Sequence, residues 1–202
     1  KVRAAGIEPG LHVLHTYVST NSALVAGGNA DRRIGLKRHF TLSHALGASD
    51  TEVFVDEDPS ESETDPRVRR LFFAGELMTY EGFSSAPPWR FTGVRRGFAD
   101  PRPRAHPCGE IGGLVDVSEF GGKDFYLSQK SDLQDIVADR FADLWKQGMG
   151  FVYFDGSEGV QEPFAYHVPN AQYRVYKKFD KKPLYTEGAA KAHFSWHFLS
   201  GG

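Results

Sequence analysis

A single cysteine and only two methionines stand among the 202 residues. Cys108 has no partner for an intrachain disulfide, so no disulfide framework organises the chain and cysteine usage leaves the compartment open. Long apolar runs are also missing: no stretch approaches about 18 consecutive apolar residues, which excludes a bilayer-spanning helix. Glycosylation acceptors of the Asn-x-Ser/Thr type are absent, because Asn21, Asn29 and Asn170 each lack the hydroxyl residue two positions on. Neither sign of charge dominates. Lys and Arg number 24 against 26 Asp and Glu, a formal net charge of −2, which argues against a general binder of nucleic acid or of anionic membrane.

What is present is a core. Hydrophobic residues make up 40% of the chain and aromatic residues 13%, enough to exclude a disordered tail. At the two ends, KVRAAGIEPG reads as the last turn of a helix entering a strand, and AHFSWHFLSGG runs out after an aromatic segment. The chain is therefore expected to be an internal piece of a larger protein.

Hydrophobic period divides the chain into two kinds of segment. GLHVLHTYV, residues 10–18, is apolar and suits a buried strand. SDLQDIVADRFADLWKQ, 131–147, keeps Leu133, Ile136, Val137, Phe141, Leu144 and Trp145 at helical spacing. Ser131 and Gln134 are placed for a capping box, and Gly148 for the left-handed residue just past the helix. FVYF at 151–154 follows as a strand, PNAQYRVYKKF at 169–179 as a second helix starting at Pro169, and PLYTE at 183–187 as another strand. Alternation at this spacing predicts βα units on a parallel sheet, and a parallel strand covered on both faces explains four consecutive apolar residues. Residues 38–118 differ. Short alternating runs such as TEVFV, RRLFFAG, ELMTYEG, FTGVRRG and EIGGLVDV predict a small antiparallel β module, with DEDPSESETD at 56–65 a solvated acidic loop lacking the spacing of an EF-hand.

In parallel α/β folds, loops at the carboxyl ends of the strands converge on ligands. Asp155 ends the FVYF strand and Gly156 lets the backbone turn there. Glu187 ends the next strand and is also followed by glycine. Neighbouring strands lie about 4.8 Å apart, so the two carboxyls can reach the separations that glycoside hydrolysis uses, about 5–5.5 Å for retention and about 6.5–9.5 Å for inversion. Glu158, in the loop after Asp155, is an alternative second carboxyl or an acceptor for a sugar hydroxyl. His15, nearer the carboxyl end of its strand than His12, is expected to contact ligand, whereas His12 is expected to pack in the core or against a helix. Tyr166, His193 and Trp196 are candidate sugar-contacting residues, since aromatic faces suit the C–H faces of pyranose rings. His193 and His197 have no His-Glu-x-x-His pattern around them, so neither a metal nor another cofactor is expected. Arg95, Arg96, Arg102 and Arg104 form a basic patch around His106. It reads either as a solvated surface or as a site for an anionic polysaccharide.

AGIEPGLHVLHTYVS resembles a strand of the (β/α)8 glycoside hydrolases of the alpha-galactosidase-like kind that precedes the strand bearing a catalytic aspartate. GFVYFDGSE resembles their strand that ends in a catalytic aspartate, and PLYTEGAAKAHFSW the following strand and loop. The likeness spans about 1–25 and 123–202. Where that family carries Lys-x-Asp, this chain has Tyr153-Phe154-Asp155. The middle segment is similar to a small β module of carbohydrate-active and phage tail proteins, with Gly75, Glu76, Tyr80, Arg96, Gly97, His106 and Gly109 at its motif positions and the Gly-Thr step replaced around Asp100-Pro101. The resemblance implies part of a (β/α)8 TIM-type barrel with an inserted antiparallel β domain: barrel strand and connection in 1–37, the insert in 38–118, and barrel βα units in 119–202. The remaining barrel strands would lie in flanking sequence or in another chain, since a full barrel takes about 250 residues.

The function so implied is hydrolysis of a poly- or oligosaccharide by a carboxylate pair, with Asp155 as nucleophile or stabiliser and Glu187 or Glu158 as acid/base. The expected partner is a carbohydrate substrate rather than nucleic acid, and a secreted or periplasmic location is favoured. A non-catalytic carbohydrate-binding or adhesion protein and a polysaccharide lyase are the alternatives.

Overall fold

A computed structural model describes residues 1–99, 102–189 and 191–200. In chain order its strands are β1 (Gly10–Leu14), β2 (Tyr17–Ser19), β3 (Leu36–Thr41), β4 (Val53–Phe54), β5 (Arg70–Phe73), β6 (Glu76–Thr79) and β7 (Gly82–Phe83). Then come β8 (Arg90–Thr92), β9 (Arg95–Phe98), β10 (Ile111–Val115), β11 (Asp124–Tyr126), helix α1 (Leu133–Trp145), β12 (Phe151–Asp155), α2 (Phe164–Tyr176) and β13 (Tyr185–Gly188). The chain divides into two compact units, Lys1–Tyr17 with Leu127–Gly202, and Val18–Tyr126.

The first unit is a three-stranded parallel sheet in the order β1-β12-β13. β12 pairs in parallel with β1 on one side and with β13 on the other. The expected parallel pairing of 151–154 with the strand near 183–187 is therefore present. The barrel is not. With 29% strand and 17% helix, in small separate sheets, the fold is mixed and strand-rich, not a (β/α)8 barrel, and the family resemblance that implied one is set aside with it. The likeness lay in short motifs at strand ends, which specify a strand and its turn but not how many strands share the sheet.

Coverage of this sheet also differs from expectation. Val152 and Phe154 are fully buried and pack with Val13, Ala138, Trp145 and Val175 in a core between the sheet and the helices. Burying a side chain such as Phe154 contributes about 1.5–3 kcal/mol, and Trp145 stacks on Phe179 at 4.2 Å. The alternate residues look the other way. Phe151 remains 37% exposed and Tyr185 44%, so β12 is covered on one face only. Register places His12 beside Tyr153, Leu14 beside Asp155 and Glu187 beside Tyr153, all on the open face.

Local boundaries shift for identifiable reasons. The strand expected over 10–18 stops at Leu14; the chain turns at His15 and Thr16, and β2 pairs with β11 instead. The capping box of Ser131 and Gln134 does not form. Asp132 is the cap residue, and the Gln134 amide donates to Gln129 Oε1 at 2.9 Å. Gly148 has φ +104°, but it stands two residues past the cap Lys146 rather than one. Helix α2 begins five residues before Pro169, which lies inside it.

The second unit is built from antiparallel pairs: a five-stranded sheet ordered β3-β10-β5-β6-β9, a three-stranded sheet ordered β4-β8-β7, and the pair β11-β2. Its core centres on Phe91, which meets Phe40 edge-on at 5.0 Å and Tyr80 at 4.8 Å, with Leu42, Leu71, Phe73, Met78 and Leu114 around it. Beside this core lies a buried ionic knot. Arg96 grips Glu76 with two bonds of 2.8 Å, and the backbone N–H of Arg104 adds one of 3.0 Å. His106 lies 2.9 Å from Glu76 through Nε2 and 3.0 Å from Glu110 through Nδ1. Three motif positions scattered over 30 residues thus converge. The motif's departure at Asp100-Pro101 lies outside the described residues.

Candidate functional site

The open face of the parallel sheet gathers the acids that the sequence singles out. Asp155, the last residue of β12, keeps 27% of its side chain exposed, and its Oδ2 lies 2.9 Å from Nε2 of His12, itself 62% exposed. Its other oxygen accepts the N–H of Gly156 at 2.9 Å. Both carboxylate oxygens are therefore oriented, one by the neighbouring strand and one by the turn that follows. The His12 ring also leans on Tyr153 at 5.3 Å.

Tyr153 links this group electrostatically. Its phenol is pushed above the ordinary tyrosine value by loss of solvent, and then by the carboxylates of Asp155, Glu187 and Glu158 in turn. All three predicted acids thus act on one hydroxyl. Glu187 is half-buried on β13 beside Tyr153, whereas Glu158 is exposed and accepts the N–H of Ser157 at 2.8 Å.

Gly156 shapes the turn. Its φ of +69° favours glycine, and a Cβ there would come within 2.4 Å of the Tyr17 ring and 2.7 Å of Leu14 Cδ2. The hydroxyl of Thr16 holds its carbonyl at 2.7 Å. Gly156→Ala should therefore destabilise the chain by about 1–3 kcal/mol through overpacking and backbone strain, read as a lower urea midpoint. An unchanged midpoint would mean that the turn is not held as described.

The histidines exchange the places expected of them. His15 is 1% exposed, edge-on to Phe154 at 5.2 Å and 3.4 Å from the Ser157 hydroxyl. Burial draws its imidazole down to about 4, against the raising influence of the Val13 and Asp155 carbonyls and of the Asp155 carboxylate. It is a neutral, packed side chain behind the site. His12, expected in the core, faces outward beside Asp155. Neither His12 nor Tyr153 was picked out by sequence reasoning. The signal for them is strand parity combined with the β1–β12 register, and register is not readable from two apolar runs.

The remaining candidates lie off the strands of this unit. Tyr166 is on α2, 64% exposed, with its ring against His167 at 5.6 Å. His193 sits in a short 3-10 turn, Ala192–Ser195, with its ring 4.2 Å from Phe194. Trp196, just after that turn, meets His197 at 5.8 Å. Their ring contacts are thus with sequence neighbours. Among the described residues no group of three His, Cys, Asp or Glu side chains is placed to hold a metal ion, and no helix is long and apolar enough to cross a membrane.

No known protein family matches the chain, and no curated protein is significantly similar to it. The terms hydrolase and glycosidase therefore find no support from a relative, and a functional reading has to come from the site itself.

Proposed function

We propose that the chain hydrolyses glycosidic bonds at the open face of its parallel sheet, with Asp155 and Glu187 as the carboxylate pair. The observation that carries this reading is their placement on adjacent parallel strands, on the same side, near the carboxyl ends. Glu187 is level with Tyr153, two residues short of Asp155. With strands about 4.8 Å apart and a rise of about 3.3 Å per residue, the two Cα atoms are separated by about 8 Å. Carboxyls carried by backbone positions this far apart can hold the wider separation, about 6.5–9.5 Å between carboxyl groups, that leaves room for a water molecule and inverts the anomeric centre.

In this reading Glu187 protonates the leaving oxygen. Asp155, oriented by His12 and by the Gly156 N–H, draws the proton from the attacking water. The Tyr153 hydroxyl, pushed further above its ordinary value by loss of solvent and then by its three acidic neighbours, donates to a sugar oxygen. Glu158 is free of the sheet and accepts from a sugar hydroxyl.

Incubating the chain with a panel of oligosaccharides and following the anomeric protons by NMR tests this directly. The expected first product is the anomer opposite to that of the substrate; the retained anomer would contradict the roles given to Glu187 and Asp155. One observation favours a second reading. The exposed rings of Phe151 and Tyr185 share that face at the start of the two strands, as in a surface that binds glycan without cutting it. That reading predicts binding with no product released.

A further inference from the structure

Among the described residues, three other than glycine hold a left-handed backbone: Ala74, Ala99 and Lys191. Lys191, with φ +60° and ψ 6°, is the one that belongs to the parallel-sheet unit. Glycine is the residue such a position favours, because a Cβ crowds the backbone there. A lysine in that place calls for a reason in its side chain, and strained backbone of this kind clusters at functional sites.

The side chain reaches the loop that follows β12. Nζ donates to the Val160 carbonyl at 3.0 Å and lies 4.4 Å from the centre of the Phe164 ring. Val160 is buried, and its N–H closes a turn on the Ser157 carbonyl at 3.2 Å. Glu158 is carried on that turn. Its near end is fixed from the exit of β1, where the Thr16 hydroxyl bonds the Gly156 carbonyl. Its far end is fixed by Lys191, which comes from the exit of β13. There the N–H of Ala189 donates to the Phe154 carbonyl at 2.8 Å, so the segment that leads to Lys191 is itself tied to β12.

We infer that Lys191 is a positioning residue: it clamps the turn that carries Glu158 to the exit of the strand that carries Glu187. The third acid is thereby set in place relative to the carboxylate pair. An ionised donor makes the stronger kind of hydrogen bond, and the ring face adds attraction for the ammonium. A methionine of similar length supplies neither. The part that Lys191 plays in turnover rests on the hydrolase reading, through the sugar hydroxyl that Glu158 accepts, whereas the clamp rests on the contacts alone.

Amide hydrogen exchange of the full chain tests the clamp. In Lys191→Met the Val160 N–H should exchange about 10-fold faster than in the parent, as one charge-assisted bond is lost, while the Val152 N–H within the sheet keeps its rate. Lys191→Gly, which also relieves the backbone, should show the same acceleration and carries the test where Lys191→Met does not fold. Kinetics on an oligosaccharide test the role. Either variant should raise KM about 10-fold with kcat little changed. Glu158→Gln should then add almost nothing, since both changes act through one carboxylate. A purely structural lysine would instead give additive losses in the double variant. Unaltered Val160 exchange in both lysine variants, or additive effects on KM, would overturn the inference. Faster exchange with no product from any glycan would end the hydrolase reading and leave the clamp standing; product release with exchange unaltered would do the reverse.

Discussion

Replacing Asp155 with Asn should reduce glycan hydrolysis by a factor on the order of 10² to 10⁴, the range over which a positioned proton-transfer group contributes. That loss corresponds to about 3–5 kcal/mol of transition-state stabilisation. The substitution is nearly isosteric. Asn keeps an oxygen to accept the Gly156 N–H and turns its amide towards His12, so the two contacts that orient the side chain survive in altered form. What disappears is the negative charge and the ability to take a proton from water. Glu187→Gln should show a comparable loss on substrates with a poor leaving group and a smaller one on an activated aryl glycoside, which needs less help from an acid. Circular dichroism and the thermal midpoint should stay close to those of the parent, because the His12 side of the pair is open to solvent and such pairs contribute about 1 kcal/mol or less. Full turnover in both variants would remove the carboxylate pair from the mechanism.

How much of this was legible beforehand varies with the physics of each element. Helix α1 and the strands around it declared themselves through period: Leu133, Val137 and Trp145 are buried as helical spacing requires, and the chain alternates strand and helix as a parallel sheet demands. Asp155 at a strand end followed a similar logic. Coverage was not legible. FVYF is apolar throughout, yet Phe151 and Tyr153 face outward, because an aromatic side chain tolerates half-exposure where an aliphatic one would not reveal the difference. Nor was the pairing of His12 with Asp155, which depends on a register linking residues 143 positions apart. Glu76, Arg96 and His106 stood out as motif positions, but their meeting in a buried ionic knot is a product of tertiary folding that no local spacing encodes. The barrel was inferred from motif likeness alone, and strand count is the property that short motifs carry least.

That ionic knot yields the largest expected change in stability. Glu76 is 1% exposed, and the side chains of Arg96 and His106 are 6% and 3% exposed. Glu76→Ala would leave a buried guanidinium without its carboxylate and the Arg104 N–H without an acceptor, a loss of about 3–5 kcal/mol for a broken buried pair. Glu76→Gln keeps the shape and one acceptor but sets an amide against Arg96, and should cost less. The acid dependence has a definite sign. Burial alone would raise the Glu76 carboxyl, but bonds from His106, Arg96 and the Arg104 N–H outweigh it and bring the group down to about 2 from an ordinary value of 4.5. A depressed folded-state value means that the contribution is complete above about 4.5 and is lost as pH falls towards 2. Urea unfolding of the full chain should therefore show a wide gap between the parent and Glu76→Gln at pH 7, narrowing steadily below pH 4.5 as the parent loses what the variant never had. A second comparison isolates the pair itself. In a cycle of Glu76→Gln and Arg96→Met, the double variant should be less destabilised than the sum of the singles, because removing both charges leaves no unpaired ion in the interior. Additive losses, or a gap that stays constant down to pH 2, would show that Glu76 is not the carboxylate holding these segments together.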